Sequence, residues 1–206
     1  MKYEWRKKNK ELYLPKDKPT IFEVPLMQYF TLSGSGNPNS EEFHKAVEVL
    51  YALSYAIRMM PKKGMIPDGY FEYTVFPLEG VWDLDEEGRK LVKLDKERLL
   101  YKLMIRQPEF VTEDLLNKAK ELISKKIAKD WLSSVLLEKI EEGSCVQCMH
   151  IGSYDDESTT FSKMEEFCQE NGLKRIDKRH REIYINDPRK TSIEKLKTVL
   201  RFKVTH

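Results

Sequence analysis

Cysteine is scarce in this sequence. The three cysteines, Cys145, Cys148 and Cys168, are odd in number, which argues against a disulfide framework and is typical of a reducing compartment. Cys145 and Cys148 form a C-x-x-C motif, but the surrounding SCVQCMHI has the pattern of a strand, on which residues three apart point to opposite faces. We therefore interpret both cysteines as packing residues rather than as a redox or metal site.

Long apolar runs are also missing. The apolar stretches are only a few residues long, whereas a membrane span needs roughly 18 or more. The basic amino end, MKYEWRKKNK, is not followed by the apolar segment that a secretory signal carries. The sequence therefore predicts a cytoplasmic protein without a membrane partner.

The chain has no large excess of charge of one sign. Its 36 basic and 34 acidic side chains leave a net charge of +2, too balanced for a protein that mainly binds phosphate backbones. We expect no direct nucleic-acid partner. With nine Gly and nine Pro in 206 residues, the chain fits one compact domain or two small, closely joined ones.

One order of elements, strand, helix, strand, strand, occurs twice in the pattern. The first 20 residues are charged and contain Pro15 and Pro19, which predicts an arm on the surface. Periodicity and turn residues then predict, in the first half, a strand (26–33), a helix capped by Asn39 with Glu42 in a capping box, and strands at 70–78 and 98–107. A linking amphipathic helix (112–129) precedes the second half, with a strand (141–152), a helix (156–171) and strands at 182–186 and 198–204.

This order indicates an internal duplication. Gly34 to Phe43 and Gly152 to Phe161 both span nine residues, and aligning 71–77 with 181–188 sets Glu72 opposite Glu182. We expect an α+β fold in which two modules form a pseudo-two-fold antiparallel sheet, with helices on one face and a ligand groove between the halves. The predicted organisation is an arm (1–20), a first module (21–108), and a linking helix with the second module (109–206).

Acidic residues occur where the second predicted helix begins. In HIGSYDDE (150–157), Asp155 and Asp156 are best interpreted as helix caps, whereas Glu157 is a weaker capping residue and a candidate for chemistry. His150 has no second histidine at a ligand spacing, so we interpret it as structural and expect no metal.

A second acid lies on a predicted strand. In HREIYINDPRK (180–190), alternation places Glu182 and Tyr184 on one face and Arg181 on the other. If the face of Glu182 is solvated, this residue is an ordinary surface acid. If the face is buried, the pKa of Glu182 would rise toward the range of a general base.

Aromatic residues could form the walls of a pocket. Tyr and Trp favour positions where one edge stays wet, and a planar ligand can stack on them. The alternative for each of them is ordinary core packing. The candidates are Tyr70, Tyr73, Trp82, Tyr101, Tyr154 and Tyr184.

The sequence resembles the stand-alone GyrI-like proteins, small-molecule-binding relatives of the ligand domain of multidrug-sensing regulators and of the DNA gyrase inhibitor. HIGSYDDE and EIYINDPRK are its most specific segments, and it departs from the common pattern at Arg181, where a second histidine is usual, and at Asp83, where a second tryptophan is usual. The resemblance covers nearly the whole chain and includes 18–39, 50–58, 76–84, 104–112, 150–157, 180–190 and 195–204.

The resemblance implies a duplicated fold and a groove that binds hydrophobic, often planar or cationic compounds. Some similar proteins hydrolyse cyclopropane-bearing, DNA-alkylating natural products with two glutamates, and Glu157 and Glu182 fit those positions. Either residue could be the base. The alternatives are a non-catalytic multidrug sensor or sequestering protein, and a protein that interacts with gyrase. We expect a small-molecule ligand, no cofactor, and a monomer, with a weak homodimer left open.

Overall fold

The structure is a computed structural model, and it describes residues 2–206. It has a mixed α+β fold whose paired strands are antiparallel, as the sequence predicts. The helices are α1 (Trp5–Lys8), α2 (Lys10–Tyr13), α3 (Glu41–Arg58), α4 (Glu113–Ile123), α5 (Lys129–Ser133) and α6 (Glu157–Glu170). The strands are β1 (Thr20–Val24), β2 (Met27–Ser35), β3 (Leu78–Leu84), β4 (Leu99–Arg106), β5 (Leu136–Ile140), β6 (Gly143–Ile151), β7 (Lys174–Arg175), β8 (His180–Tyr184) and β9 (Lys197–Thr205).

The chain divides into two compact units that exchange segments of sequence. Among the described residues, the first unit contains 2–4, Met27–Leu78 and Leu84–Ile140, and the second contains Trp5–Leu26, Glu79–Asp83 and Glu141–His206. Most of β3 therefore belongs to the second unit, although it lies in the first half of the sequence. The linking helix predicted at 112–129 belongs to the first unit and is shorter than predicted, since α4 ends at Ile123 and the separate α5 follows.

In the first unit, β2 pairs with β4 on one side and with β5 on the other. Helix α3 contributes a buried face that includes Val49, Leu50 and Leu53. Ser40, rather than the predicted Asn39, caps this helix, because the Ser40 hydroxyl accepts a hydrogen bond from the Phe43 backbone N–H at 3.2 Å. The predicted capping box is therefore wrong, because the residue three positions after Ser40 is Phe43, which has no side-chain acceptor.

In the second unit, the strand order is β1, β6, β9, β8 and the Glu79–Asp83 part of β3. Helix α6 covers one face of these strands through an apolar cluster. The cluster is built from Val146, Cys148, Met164, Cys168, Leu173, Leu200, Phe202 and Val204, with Phe161 and Phe167 packed against it. Cys148 and Cys168 are thus packing residues, and all three cysteines are free thiols.

The amino-terminal segment is not the predicted surface arm. Trp5, Leu12 and Tyr13 are buried, and the Trp5 and Tyr13 rings pack edge to face at 5.2 Å between centroids. The arm was predicted from charge and proline content, but its few large apolar side chains decide its position. It also brings helices to the face of the second unit opposite α6, so helices cover both faces of these strands.

A buried ionic network attaches this segment to the strands. The Arg181 guanidinium pairs with Glu79 at 2.6 Å and with Glu142 at 3.0 Å, and all but 2% of the Arg181 side chain is buried. Arg201 pairs with Glu142 at 3.1 Å and donates a hydrogen bond to the Leu12 carbonyl at 2.8 Å. Because lone buried charges are costly, these residues fix β8, β9 and the amino-terminal segment together.

The strand, helix, strand, strand order of each half is confirmed, but one predicted strand is displaced. Residues 70–78 are not a strand, and the strand that corresponds to β8 is Leu78–Leu84. The aromatic content of 70–78 comes from a packed segment in which Tyr73 makes an isolated bridge to Tyr3. The predicted equivalence of Glu72 and Glu182 is therefore wrong. None of the helices in residues 2–206 has the length and apolar character that crossing a bilayer requires.

Candidate active site

Both candidate glutamates lie in the second unit. Glu182 is the central residue of β8, and Glu157 is the first residue of α6. A short turn of 3-10 helix, Tyr154–Asp156, leads into α6. It follows Gly152, whose φ of +131° is a backbone conformation that residues other than glycine rarely adopt. Ser153 caps this turn by accepting a hydrogen bond from the Asp155 N–H. Asp156 occupies the N-cap position of α6, as predicted, but its side chain makes no capping hydrogen bond.

Glu182 accepts hydrogen bonds on both carboxyl oxygens. His180 Nε2 lies 3.0 Å from Oε1, and the Tyr184 hydroxyl donates to Oε2 at 2.7 Å. The Trp82 indole N–H in turn donates to the Tyr184 hydroxyl at 2.9 Å, which leaves the single Tyr184 hydroxyl proton for Glu182. The Glu182 side chain is only 12% exposed. The buried alternative of the sequence analysis thus fits Glu182 better than the surface one.

The hydrogen bonding of Glu157 differs from that of Glu182. It is 8% exposed, and its Oε1 atom is buried without a hydrogen-bond partner. Burial, and then the nearby charge of Glu182, raise the pKa of Glu157 to about 10. The Glu157 carboxyl is therefore protonated at neutral pH. The two carboxyl groups therefore lie in unlike surroundings, one with hydrogen-bond partners on both oxygens and the other buried with an unpartnered oxygen.

The electrostatic neighbourhood of the pair is acidic. Burial, and then the charge of Glu182, raise the pKa of the Tyr154 hydroxyl to about 12. Burial and the charge of Glu182 likewise raise the pKa of Tyr184. A site with these neighbours favours a cation or a group that becomes positive during a reaction.

Three of the six predicted aromatic residues surround the carboxyl pair. Trp82 and Tyr184 are joined by their hydrogen bond, and the Tyr154 and Tyr184 rings pack edge to face at 5.9 Å between centroids. Tyr154 is 38% exposed, so one wall of the site reaches solvent.

Tyr70, Tyr73 and Tyr101 lie in the first unit and have structural contacts there. The Tyr70 hydroxyl donates to the Arg58 carbonyl at 2.9 Å, and the buried Tyr73 ring lies 6.1 Å from that of Phe110. The Tyr101 ring packs on Phe43 at 5.1 Å. Their role in ligand binding stays a prediction, as does the groove between the halves.

His180 is a further residue of the site, and the sequence pattern did not single it out. Strand alternation places His180 on the same face as Glu182 and Tyr184, and His180 lies opposite Trp82 in the pairing of β8 with β3, so its spacing was a usable signal. The Phe161 ring packs edge to face on the His180 ring at 4.8 Å between centroids. Glu157, His180 and Glu182 each offer one ligand atom, and these atoms lie within 4.8 Å of one another, a spacing from which a metal ion could be held.

The structural interpretation of His150 is confirmed. Its Nε2 lies 2.9 Å from the Ser153 carbonyl and must donate to it, so Nδ1 accepts from the Thr160 hydroxyl at 2.9 Å. Both ring nitrogens are occupied by protein partners. This histidine therefore holds the end of β6 against α6 and fixes the turn that precedes Glu157.

The fold and the site together define a class of protein, the α+β proteins with a cluster of acidic and aromatic side chains that suits a small molecule. The family model of the GyrI-like small molecule binding domain matches residues 17–205, and the chain belongs to this family. A comparison with the curated proteins finds none that matches.

Solved structures with the same fold include proteins described as hydrolases. A hydrolase encoded by lin2189 from Listeria innocua is 41% identical, with a TM-score of 0.91 and full coverage (100%) of both chains. A second Listeria innocua hydrolase is 38% identical, with a TM-score of 0.89 over 98% of this chain and 100% of that one. The C-terminal domain of EcmrR, 12% identical with a TM-score of 0.57 over 91% of this chain and 97% of that one, shares the fold.

Proposed function

We propose that this protein hydrolyses cyclopropane-bearing, DNA-alkylating compounds by carboxylate-assisted attack of water. The observation that carries the proposal is the pair of unlike carboxyl groups, one with hydrogen-bond donors on both oxygens and the other buried with an oxygen that has no partner. The description of similar Listeria proteins as hydrolases supports the reaction class. The cyclopropane substrate is what the resemblance to hydrolytic GyrI-like proteins implies.

Glu182 is the general base in this proposal. As the carboxylate of the pair, it takes a proton from a water molecule while the water oxygen forms a bond to the methylene carbon of the strained ring. His180 and Tyr184 hold the carboxylate in place. Assistance by a positioned general base is worth about 10²–10⁴ in rate.

Glu157 is the general acid. In a spirocyclopropyl dienone, breaking the ring carbon–carbon bond sends its electron pair into the dienone, which becomes a phenolate. The protonated Glu157 gives its proton to this oxygen, and the product is the ring-opened phenol with the hydroxyl group from water. The step adds one water molecule, and a proton that passes from Glu182 to Glu157 restores the starting state.

Aromatic side chains would position the substrate. Trp82, Tyr154 and Tyr184 present planar rings beside the carboxyl pair, and stacking against such rings contributes about 0.5–1.5 kcal/mol per pair beyond burial. Hydrogen bonds to Glu182 and Trp82 fix the orientation of the Tyr184 ring, whereas the exposed edge of Tyr154 is available to a ligand.

The experiment that tests the proposal measures turnover of a spirocyclopropyl dienone by purified wild type and the Glu182→Gln variant. The variant keeps the shape of the side chain but cannot accept a proton, so we expect its rate to fall by about 10²–10⁴. Glu170→Gln, an exposed residue at the end of α6, is the matched control and should leave the rate unchanged. Equal rates for wild type and Glu182→Gln would refute the catalytic assignment.

A second candidate function is the binding of lipophilic cations without turnover. The acidic neighbourhood of Tyr154 and Tyr184 favours it, because a buried carboxylate neutralises a bound cation. Cation binding that Glu182→Gln abolishes, with no product from any cyclopropane compound, would favour this alternative over hydrolysis.

A further inference from the structure

We propose that Glu157, His180 and Glu182 form a binding site for a divalent transition-metal ion, with Zn²⁺ as the preferred ion. Metal binding at this site does not depend on hydrolysis. Two different elements bring the three side chains together. His180 and Glu182 are two residues apart on β8, and Glu157 is at the start of α6.

The ligand atoms are close enough for one ion. They lie within 4.8 Å of one another, and His180 Nε2 is already 3.0 Å from Glu182 Oε1. Donor atoms that share one zinc ion at about 2.0–2.2 Å each lie roughly 3.3–3.6 Å apart in tetrahedral geometry. A shift of about 1 Å, within the range of glutamate side-chain rotation, would therefore close the set around an ion.

The unpartnered oxygen of Glu157 is an independent indication of a ligand. Buried carboxyl oxygens nearly always have a partner, yet Oε1 of Glu157 has none in a residue that is only 8% exposed. Glu182 is the nearest acid, and its carboxyl group is close enough to share one ion with Glu157. A metal ion would supply the partner that Oε1 of Glu157 lacks.

The surroundings of the three ligands suit a metal site. Phe161 packs on the His180 ring, and Tyr184 donates to the second oxygen of Glu182, so two of the three ligands are oriented by neighbours. The His180 side chain is 22% exposed, which gives an ion a way in. One imidazole and two carboxylates suit Zn²⁺, whereas Mg²⁺ prefers six oxygen ligands.

Zinc binding would control the site. The ion would occupy the carboxyl oxygens of both glutamates and the His180 nitrogen that faces Glu182. Neither carboxyl group could then serve as acid or base. Bound zinc would therefore compete with the acid–base chemistry of the proposed function.

The test is a calorimetric titration of the chelator-treated full-length protein with Zn²⁺ at neutral pH. We expect one equivalent to bind, and Mg²⁺ at the same concentration not to compete. Glu157→Gln and His180→Asn should each weaken binding at least about tenfold, since each removes a ligand. His44→Asn, which removes an exposed histidine of α3, is the control and should bind like wild type.

A second measurement decides the question if a variant fails to fold. Co²⁺ added to wild type should give the intense visible absorption of a four- or five-coordinate ion, and Zn²⁺ should displace it. No zinc binding by wild type, a cobalt spectrum like that of the ion in water, or folded ligand variants that bind zinc as wild type does would each overturn the proposal.

Discussion

At the residue scale, the site depends on two chemically identical side chains in different surroundings. Glu182 accepts from His180 and Tyr184, whereas Glu157 is buried and has an oxygen without a partner. Sequence alone could identify both residues but could not distinguish their surroundings. The difference comes from His180 and Tyr184, which contact Glu182, and from the burial of Glu157 at the start of α6. Strand alternation predicted that Glu182 and Tyr184 share a face, and their hydrogen bond confirms it.

Glu157 should reduce the stability of the protein at neutral and alkaline pH. Its pKa is raised from 4.5 to about 10 in the folded protein, so between these values the folded chain holds a proton that the unfolded chain releases. Stability therefore falls as the pH rises through this window. Glu157→Gln cannot release a proton and should be more stable than wild type at pH 8, by up to about 5 kcal/mol.

Urea unfolding with a chelator present measures this difference. The stability of the variant should approach that of wild type as the pH falls toward 4.5, the ordinary pKa of the group. Glu170→Gln, an exposed substitution on the same helix, should follow wild type at each pH. A Glu157→Gln protein less stable than wild type at pH 8 would contradict this account of the carboxyl pair.

At the element scale, helix and strand starts were the least predictable features. The strand predicted at 70–78 has a high aromatic content, but its rings pack in a cluster instead of alternating across a sheet. The Tyr70 and Phe71 rings both contact Phe110, with centroids 5.4 and 5.5 Å away. Local composition cannot distinguish an aromatic strand from an irregular segment with packed rings, because the difference depends on contacts with residues far along the chain.

The cap of α3 gives an element-scale prediction. Ser40→Ala removes the acceptor for the Phe43 N–H and should destabilise the protein by about 1 kcal/mol. Asn39→Ala is the matched control, because Asn39 is exposed and precedes the cap. Thermal or urea unfolding of both variants measures the difference. A larger loss for Asn39→Ala than for Ser40→Ala would restore the capping box predicted from sequence.

At the scale of the whole molecule, the order of elements and the α+β class could be predicted, but the division into units could not. Strand alternation and helical periodicity predict only which face of a single strand or helix is buried. The exchange of Glu79–Asp83 and of the amino-terminal segment depends on buried pairs such as Arg181 with Glu79, which are distant in sequence. The cytoplasmic location and the monomeric state stay predictions.

The amino-terminal segment should be essential for stability. Trp5 is 4% exposed, packs on Tyr13 and has the Arg6 guanidinium 4.4 Å from its ring centroid. Trp5→Ala should cost about 3–5 kcal/mol in the free energy of unfolding. Lys8→Ala, an exposed residue of α1, should change it by less than about 0.5 kcal/mol. Equal urea midpoints for the two variants would show that the segment is the surface arm that the sequence predicted.

The most direct test of the central claim is hydrolysis of a spirocyclopropyl dienone by wild type in ¹⁸O-labelled water, with mass analysis of the product and of the protein. If Glu182 activates water, one labelled oxygen should enter the ring-opened phenol in a single turnover, and none should enter the protein. Label in a glutamate carboxyl with unlabelled first-turnover product would show direct attack by a carboxylate, and the absence of any ring-opened product above the uncatalysed level would contradict catalysis altogether.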